Sequence, residues 1–529
     1  MNARAENLNA EQTDVVIVGA GFAGLGMAIE MKRQGFTNFI VLEKADDLGG
    51  TWRDNHYPGC ACDVPSHLYS YSFAQNPSWS KAYSPQPEIW EYLRKCARDF
   101  DVMPHMRYNS EVVTSRYSDL TGLWTLTLTD GRILTTRVLI NARGPLARPA
   151  YPNIKGLKNF KGEVFHSQNW NHDYDLKGKR VAVIGTGASA IQFVPHVAEA
   201  AGKLDLYQRT PPWVMPKLDR AFLPTEQFMF KHIPFVQKGL RAAIYWLMET
   251  QVLGFVVNPK LMKGLEFISR RHFEKQIPDP VLRAKVTPNY TIGCKRVLYT
   301  NNYLPALTRT NVNVLTEGIT EVRENGVLGK DGVFREADCI ILGTGFMATK
   351  PVEEGCIFGS GGKDLLDVWQ EGGMQAYKGA AVSGFPNMFF IIGPNTGLGH
   401  SSIIFMIESQ VSYIIGALRD MKKDKLKSMD VRSDVMTRYN EKLQEKIKGA
   451  VWTQGGCSSW YLDEQGRNTT LWPGFTWAFR LETRKFDSSD YVCESMDKSI
   501  NVSPAANDNT APAKPKSKST RKKATVKAV

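Results

Sequence analysis

The chain has 529 residues, of which 43% are hydrophobic and 22% charged, which is typical of a soluble globular protein with two or three domains. Its formal net charge of +13 suggests a nucleic-acid-binding protein, but seven Lys or Arg residues and only one acid lie beyond Asn501. The rest of the chain is only mildly basic, which argues against specific nucleic-acid binding. Because residues 500–529 also contain no aromatic residue, we expect them to form a disordered basic tail.

The eight cysteines show no spacing that predicts a disulfide framework or a metal site. Cys60 and Cys62 are separated by one residue, so they do not match the CxxC pattern, and a disulfide reductase is disfavoured. We expect free thiols and a cytoplasmic protein, and the first fourteen residues contain no apolar segment typical of a signal peptide. The longest apolar run, 242–257, is interrupted by polar residues and is too short to cross a bilayer. We expect it to pack inside a domain, with weak contact to a membrane surface as the alternative.

A first dinucleotide-binding motif begins with residues 15–18, a β-branched run that predicts a buried strand. Three glycines with GxGxxG spacing follow this strand: Gly19, Gly21 and Gly24. Such glycines allow a tight turn, close approach to a pyrophosphate and packing of the next helix on the strand. A second strand at 39–42 ends at Glu43, which is placed to accept hydrogen bonds from ribose hydroxyl groups. The motif therefore predicts a nucleotide site with an acidic ribose contact.

A second motif follows the β-branched run at 181–184 and consists of Gly185, Thr186, Gly187, Ala188, Ser189 and Ala190. From Gly19 to Glu43 is 24 residues, and Gly185 is followed at the same distance by Arg209. A carboxylate at this position suits ribose hydroxyls, whereas a guanidinium binds a 2′-phosphate. We therefore predict FAD at the first motif and NADPH at the second, with a hydroxyl contact from Thr210. The alternative for Arg209 is a surface ion pair.

The order of the elements predicts an α/β fold with two nested Rossmann-like dinucleotide-binding domains and a helical insertion. Strand-then-glycine segments at 138–144 and 339–345 repeat the same pattern within each domain. The predicted boundaries are 8–146 for the first part of the FAD domain, 147–383 for the NADPH domain, about 218–290 for its helical insertion, and 384–495 for the C-terminal part of the FAD domain.

Two longer patterns carry a family resemblance. Residues 160–170, FKGEVFHSQNW, match FxGxxxHxxxW, and residues 49–63, GGTWRDNHYPGCACD, match GGxWxxxxYPGxxxD. The chain thereby resembles the Baeyer–Villiger monooxygenases, a branch of the class B flavoprotein monooxygenases. Trp170 favours the ketone-oxidising branch over the relatives that oxygenate heteroatoms, while Asn171 stands where the family usually has Pro or Asp.

The resemblance implies catalytic and cofactor-binding roles for particular residues. Arg296 would be the essential arginine beside the flavin, Asp63 its acidic partner, and Lys295 a contact for the NADPH phosphate. Trp460 would close over nicotinamide and substrate. Further FAD contacts are expected at Ala23, Gly50, Thr51, Trp52, Tyr69 and Val113. Without the resemblance, Lys295 and Arg296 are equally compatible with solvated cations, and Trp52 and Trp460 with core packing. For Asp63 the less favoured alternative is a helix N-cap.

The implied reaction uses NADPH, FAD and O2 to insert one oxygen atom beside a ketone carbonyl through a C4a-peroxyflavin, giving an ester or a lactone. His166 is expected to be structural. The alternatives are an N- or S-oxygenating flavin monooxygenase with the same cofactors and, in another class, a non-catalytic flavin-binding interaction protein. The sequence leaves the ketone and the oligomeric state open.

Overall fold

The structure, a computed structural model, describes residues 11–349, 352–457, 459, 461–463 and 465–496. Trp460 and the predicted basic tail at 500–529 lie outside these residues, so their expectations stay predictions. The strands are β1 Glu11–Val18, β2 Phe39–Leu42, β3 Met106–Arg107, β4 Val112–Ser118, β5 Leu123–Leu128, β6 Ile133–Asn141, β7 Glu163–His166, β8 Arg180–Ile184, β9 Lys203–Tyr207, β10 Val214–Met215, β11 Leu298–Tyr299, β12 Val312–Leu315, β13 Ile319–Arg323, β14 Gly326–Gly329, β15 Phe334–Glu336, β16 Cys339–Leu342, β17 Ile357–Phe358, β18 Met388–Phe390, β19 Leu426–Val431 and β20 Tyr491–Ser495.

Helices alternate with these strands, as a doubly wound fold requires. They are α1 Phe22–Arg33, α2 Thr51–Asp54, α3 Gln86–Asp99, α4 Ala190–Ala200, α5 Pro224–His232, α6 Pro234–Glu249, α7 Met262–Gln276, α8 Pro280–Val286, α9 Tyr303–Leu307, α10 Leu365–Gly372, α11 Ile403–Lys423, α12 Ser433–Lys448, α13 Val451–Gln454 and α14 Thr476–Thr483.

The first domain is built on an eight-stranded sheet with the order β17-β4-β5-β6-β1-β2-β3, with β18 also paired to β6. Strand β1 pairs in parallel with β2, where Val15 lies opposite Phe39, and with β6, where Val15 lies opposite Val138. Strand β18, from the C-terminal half of the chain, also joins β6 in parallel. The later segment therefore completes a sheet that the N-terminal segment begins.

The second domain is built on a five-stranded parallel sheet with the order β12-β9-β8-β16-β7. Strand β16 is fully apolar and buried, and so are residues 181–183 of β8, as parallel strands covered on both faces require. This domain lies in sequence between the two parts of the first. The predicted fold class, two nested Rossmann-like domains, is therefore confirmed.

Helices α5 to α8 form an insertion between β10 and β11. The apolar run predicted at 242–257 is part of a longer helix that begins at Pro234, and a π-helical turn at Leu253–Val257 continues it. This segment of 24 residues is long and apolar enough to cross a membrane by length and composition alone. The protein buries only 22% of its most apolar 18 residues. The expectation that the run packs inside a domain is met only on one side of the helix.

The prediction of free thiols is wrong for two cysteines. Cys294 and Cys457 form a disulfide with their Cα atoms 6.1 Å apart, although 163 residues separate them in sequence. Cys60, Cys62 and four other cysteines are free. The prediction failed because the two partners are brought together only by the packing of the C-terminal part of the first domain on the second.

Candidate active site

The first glycine-rich loop joins β1 to α1 in a conformation that requires glycine. Gly19 has a φ of +106°, and a Cβ atom on Gly24 would lie 1.8 Å from the carbonyl oxygen of Gly19, so neither position tolerates a side chain. Helix α1 starts after Gly21 without a side-chain cap. Its first backbone N–H groups are therefore available to an anion such as a pyrophosphate.

Glu43 directly follows β2 and is buried beside this loop. Its carboxylate accepts hydrogen bonds from the backbone N–H of Ala20 at 2.9 Å and of Ala45 at 3.1 Å. Arg53 donates to the same carboxylate at 3.1 Å, a contact that no sequence motif predicts. Burial opposes the charge of this guanidinium, yet the carboxylates of Asp54 and Glu43 together raise the pKa of Arg53 above its ordinary value. The ribose contact of Glu43 stays a prediction.

The loop at 49–63 lies against the first glycine-rich loop. A Cβ atom on Gly50 would lie 3.1 Å from the Cα atom of Gly21, so the two loops are in close contact. Helix α2 begins directly after Gly50. Its buried Trp52 donates through Nε1 to the hydroxyl of Tyr69 at 3.0 Å. The ring of Tyr69 packs at 5.2 Å on Phe22, the neighbour of Ala23.

The predicted FAD contacts near α1 and α2 are thus brought together: Gly19, Gly21, Ala23, Gly24, Gly50, Thr51, Trp52 and Tyr69. Val113 lies in β4 and is 43% exposed, and its contact with FAD stays a prediction.

The second glycine-rich loop has the same backbone geometry between β8 and α4. Gly185 has a φ of +110°, and a Cβ atom there would lie 2.2 Å from the carbonyl oxygen of Gly343. A Cβ atom on Gly187 would instead meet nothing within 4 Å, which leaves open space above the loop. The hydroxyl of Thr186 donates to the carbonyl oxygen of Thr210 at 3.2 Å. Ser189 precedes α4 without capping it, so the helix start is open to an anion.

Arg209 and Lys295 place two positive charges at the edge of this second loop. Arg209 lies two residues beyond the end of β9 and is exposed. Lys295 is partly buried, and its pKa is lowered by burial and by repulsion from Arg209. Within the described part of the chain neither forms an ion pair with a carboxylate, although Lys295 lies 5.3 Å from the ring centre of Tyr290. Two uncompensated cations beside an open helix start suit a phosphate group.

Arg296 and Asp63 form a bidentate ion pair between the two domains. Nε of Arg296 donates to Oδ2 of Asp63 at 2.8 Å, and Nη2 donates to Oδ1 at 2.8 Å. The pair joins the loop at 49–63 to the segment before β11, and Arg296 also reaches the carbonyl oxygen of Leu398 at 3.5 Å. The attraction of Asp63 outweighs burial and raises the pKa of Arg296 further above its ordinary value. The expected pairing of these two residues is therefore present in the structure.

Gln192 and Tyr461 border the same region and were not predicted from the sequence. The side chain of Gln192, on α4, accepts from the hydroxyl of Tyr57 at 3.0 Å and donates to the carbonyl oxygen of Ala61 at 3.0 Å. Tyr461 is buried near Arg296, and burial raises the pKa of its hydroxyl to about 12. Neither residue belongs to a motif with a known spacing, so only the folded chain identifies them.

The segment at 160–170 packs between the two domains. Its Trp170 lies 5.1 Å from the ring of Phe165 and 5.3 Å from that of Phe193 on α4, and Phe193 lies 5.9 Å from Tyr57 in the first domain. His166 is buried, and burial lowers its pKa. Its Nδ1 accepts from the backbone N–H of Gln168 at 3.1 Å. These contacts agree with a structural role for His166.

Comparison with known proteins places this geometry in a family. The family model "Flavin-binding monooxygenase-like" matches residues 12–365. A Baeyer–Villiger monooxygenase of Pseudomonas aeruginosa is 52% identical over 91% of this chain and 92% of its own length. Another, from Streptomyces coelicolor, is 47% identical with the same coverage.

Solved structures with the same fold include a closed form of cyclohexanone monooxygenase, with a TM-score of 0.83, 26% identity, and coverage of 92% of this chain and 100% of the other. A complex of OTEMO with FAD and NADP gives a TM-score of 0.81 at 27% identity and the same coverage. The resemblance found in the sequence is thereby confirmed. The chain belongs to the flavin-binding monooxygenase-like family, on its Baeyer–Villiger monooxygenase branch.

Proposed function

We propose that this chain is an FAD-containing Baeyer–Villiger monooxygenase that uses NADPH and O2 to oxidise a small-molecule ketone. In the overall reaction one oxygen atom of O2 enters the bond beside the carbonyl and the other leaves as water, while NADPH is oxidised to NADP+. The product is an ester or a lactone. The observation that carries the proposal is the Asp63–Arg296 ion pair, which lies between two dinucleotide-binding loops.

The first loop fits FAD. The open start of α1 and the close approach of Gly21 and Gly50 leave backbone N–H groups for the pyrophosphate. Glu43 would accept from the ribose, and Trp52 and Tyr69 would border the flavin. FAD, when bound, supplies the two-electron chemistry that activates O2.

The second loop fits NADPH. The uncompensated cations Arg209 and Lys295 suit the 2′-phosphate that distinguishes NADPH from NADH, and the open space at Gly187 admits the pyrophosphate. The structures of relatives that contain NADP support the same assignment.

Arg296 supplies a fixed positive charge where negative charge develops on the reacting oxygen atoms. A guanidinium does not lose its proton at working pH, and Asp63 raises the pKa of Arg296 further. Asp63 holds the guanidinium through two parallel hydrogen bonds, and a third N–H group reaches the carbonyl oxygen of Leu398. Two N–H groups are left for the reacting oxygen atoms. A donor of this kind contributes about 3–4 kcal/mol of transition-state stabilisation in a water-excluded site.

The test separates flavin reduction from oxygen insertion. In Arg296→Ala we expect reduction of bound flavin by NADPH to continue while ester formation falls by about 10²–10³-fold or more. Arg296→Lys keeps the charge but loses the bidentate geometry, so it should recover only part of that loss. Asp63→Asn keeps the shape of the partner and removes its charge, and it should behave like a weaker form of Arg296→Ala.

The substrate panel should contain ketones and sulfides, with labelled O2 and product analysis by mass spectrometry. Esters that carry one labelled oxygen atom support the proposal. Sulfoxides without esters would identify an S-oxygenating enzyme instead, and oxidation of NADPH without any oxygenated product would favour a flavin-binding protein that is not a monooxygenase. Undiminished ester yield in Arg296→Ala would remove that residue from the reaction.

We also infer a cytoplasmic location, which gives the protein access to NADPH. The six free cysteines support this location, whereas the Cys294–Cys457 disulfide is a feature more common in oxidising compartments. Cell fractionation with a soluble cytoplasmic marker tests the inference, and recovery with an extracytoplasmic marker would contradict it.

A further inference from the structure

The helix from Pro234 to Val257 exposes an apolar stripe along its whole length. Exposed residues recur every three or four positions, which corresponds to one face of a helix: Phe235, Gly239, Ala242, Trp246, Thr250, Leu253 and Val257. The largest of them are strongly exposed: Phe235 at 74%, Val257 at 63% and Trp246 at 58%. We call this stripe the apolar face of α6, although it continues past the end of α6 into the π-helical turn at Leu253–Val257. Soluble helices usually turn such a stripe toward the core.

The opposite face of the same helix carries polar residues and is buried. Gln237 donates to the carbonyl oxygen of Asn76 at 2.7 Å, and Arg241 donates to that of Leu68 at 3.2 Å. Glu249 accepts from the hydroxyl of Thr476 at 2.7 Å. Apolar residues also lie on this inward side: Val252 and Phe255 are buried, and Tyr245 packs half-buried against the core. Polar and apolar side chains together fix the helix to the protein. A further set of apolar residues faces outward, whereas an ordinary surface helix has a polar outer face.

Positive charge flanks the apolar face. Between Phe228 and Lys263 the only acidic residue is Glu249, and it is buried. Four exposed lysines lie near the two ends of the helix: Lys231, Lys238, Lys260 and Lys263. Trp477 at the start of α14 is 40% exposed, and it follows Thr476, which Glu249 binds. Aromatic residues together with lysines at the margin of an apolar stripe are typical of helices that lie in a membrane interface.

We propose that the apolar face of α6 docks on the surface of a bilayer that contains anionic phospholipid, with the helix in the plane of the interface. The flanking lysines would contact lipid phosphates, and Phe235, Trp246 and Val257 would enter the region between headgroups and acyl chains. The helix does not cross the bilayer, because Gln237, Arg241 and Glu249 hold its other face on the protein.

A second copy of the chain is a poorer occupant of this face. Residues 218–290 contain eleven Lys or Arg and six Asp or Glu, so the insertion has a net charge of +5. A two-fold contact through the same face would bring these like charges together. An anionic lipid surface is instead complementary in charge, and it needs no matching shape.

The test is co-sedimentation of the full-length flavoprotein with vesicles. We expect binding to vesicles of phosphatidylcholine mixed with phosphatidylglycerol, weaker binding to phosphatidylcholine alone, and weakening by salt. The double variant Phe235→Ser/Trp246→Ser should reduce the bound fraction at least about tenfold. The double variant Lys231→Gln/Lys238→Gln should also reduce it about tenfold or more, and only on anionic vesicles.

Leu120→Ser is the matched control, because Leu120 is 72% exposed in the turn between β4 and β5, far from α6 in sequence; it should bind like the wild type. The C-terminal segment, with seven Lys or Arg, is the same in all variants, so a difference in binding between variants reports on α6. Flavin absorbance reports that each variant is folded.

Vesicle binding that neither α6 variant weakens would overturn the proposal and assign it to the C-terminal segment. Absence of binding together with a dimer in light scattering that Phe235→Ser/Trp246→Ser dissociates would assign the face to a second copy. Both outcomes are independent of whether ketones are oxidised.

Discussion

Replacement of Arg209 by alanine is the sharpest test of the charge comparison between the two dinucleotide-binding loops. Arg209 is exposed and forms no ion pair with any residue that the structure describes, so its removal leaves no buried carboxylate unpaired. The variant should therefore fold as the wild type does. Only a ligand with a phosphate at this position, which means NADPH and not NADH, should lose a contact.

The size of the effect follows from this environment. A hydrogen bond to a charged group contributes about 1.5–3 kcal/mol. Because Arg209 is exposed and solvent screens its charge, we expect its contribution to NADPH binding to lie at the lower end of this range. We expect kcat/KM for NADPH to fall about tenfold while kcat/KM for NADH is unchanged. Because we propose that Lys295 binds the same phosphate, Lys295→Met should have a similar effect, and the two losses should not add.

The assay is the initial rate of coenzyme oxidation with NADPH and with NADH at low and raised salt. The difference between Arg209→Ala and wild type should shrink at raised salt, because screening weakens exposed charges. Arg323→Ala, which removes a guanidinium 53% exposed elsewhere in the same domain, is the control and should leave the ratio unchanged. The compared quantity is the ratio of kcat/KM for NADPH to kcat/KM for NADH. If Arg209→Ala has the same ratio as the wild type, the assignment of this residue to the 2′-phosphate is refuted.

Three further predictions concern other parts of the molecule. Gly187→Ala should fold normally, since the added Cβ meets nothing within 4 Å, but should raise KM for NADPH because the methyl group occupies space above the loop; an unchanged KM would contradict this. Cys294→Ser should lower the free energy of unfolding by about 2–5 kcal/mol, because the disulfide closes a loop of 163 residues, and thermal denaturation should show the same loss when Cys457 is replaced instead. Burial raises the pKa of Asp430 to about 6, so its contribution to stability is fully present below about pH 4 and is lost as the pH rises through about 6. Asp430→Asn should therefore raise Tm at pH 8 and change it little at pH 4, and an equal change at both pH values would show that ionisation is not the cause.

The glycine-rich loops and their strands were predictable because local geometry dictates them. Gly19 and Gly185 both adopt positive φ values, and close backbone contacts exclude a side chain at Gly24. Such a pattern depends only on residues that are close in sequence, so periodicity and spacing identify it.

The disulfide and the contacts of Arg53 and Gln192 were not predictable from local sequence. Cys294 meets Cys457 only through domain packing, and Gln192 reaches Tyr57 across 135 positions of sequence. No spacing rule encodes such contacts, because they depend on how complete domains pack.

The helical insertion shows a different limit. The periodicity of residues 242–257 predicts a helix and gives it two faces. It does not determine how much of the helix turns inward: Val252 and Phe255 are buried, whereas Trp246 of the same run is exposed. The prediction that this run packs inside a domain therefore holds for only part of its residues.

The two members of the Asp63–Arg296 pair come from different domains, so the pair can form only when those domains are correctly placed relative to each other. Any rotation that separates the second domain from the first would pull the guanidinium away from its carboxylate. The role proposed for Arg296 therefore requires one relative orientation of the domains, and oxygen transfer by the proposed route would occur only while that orientation is kept.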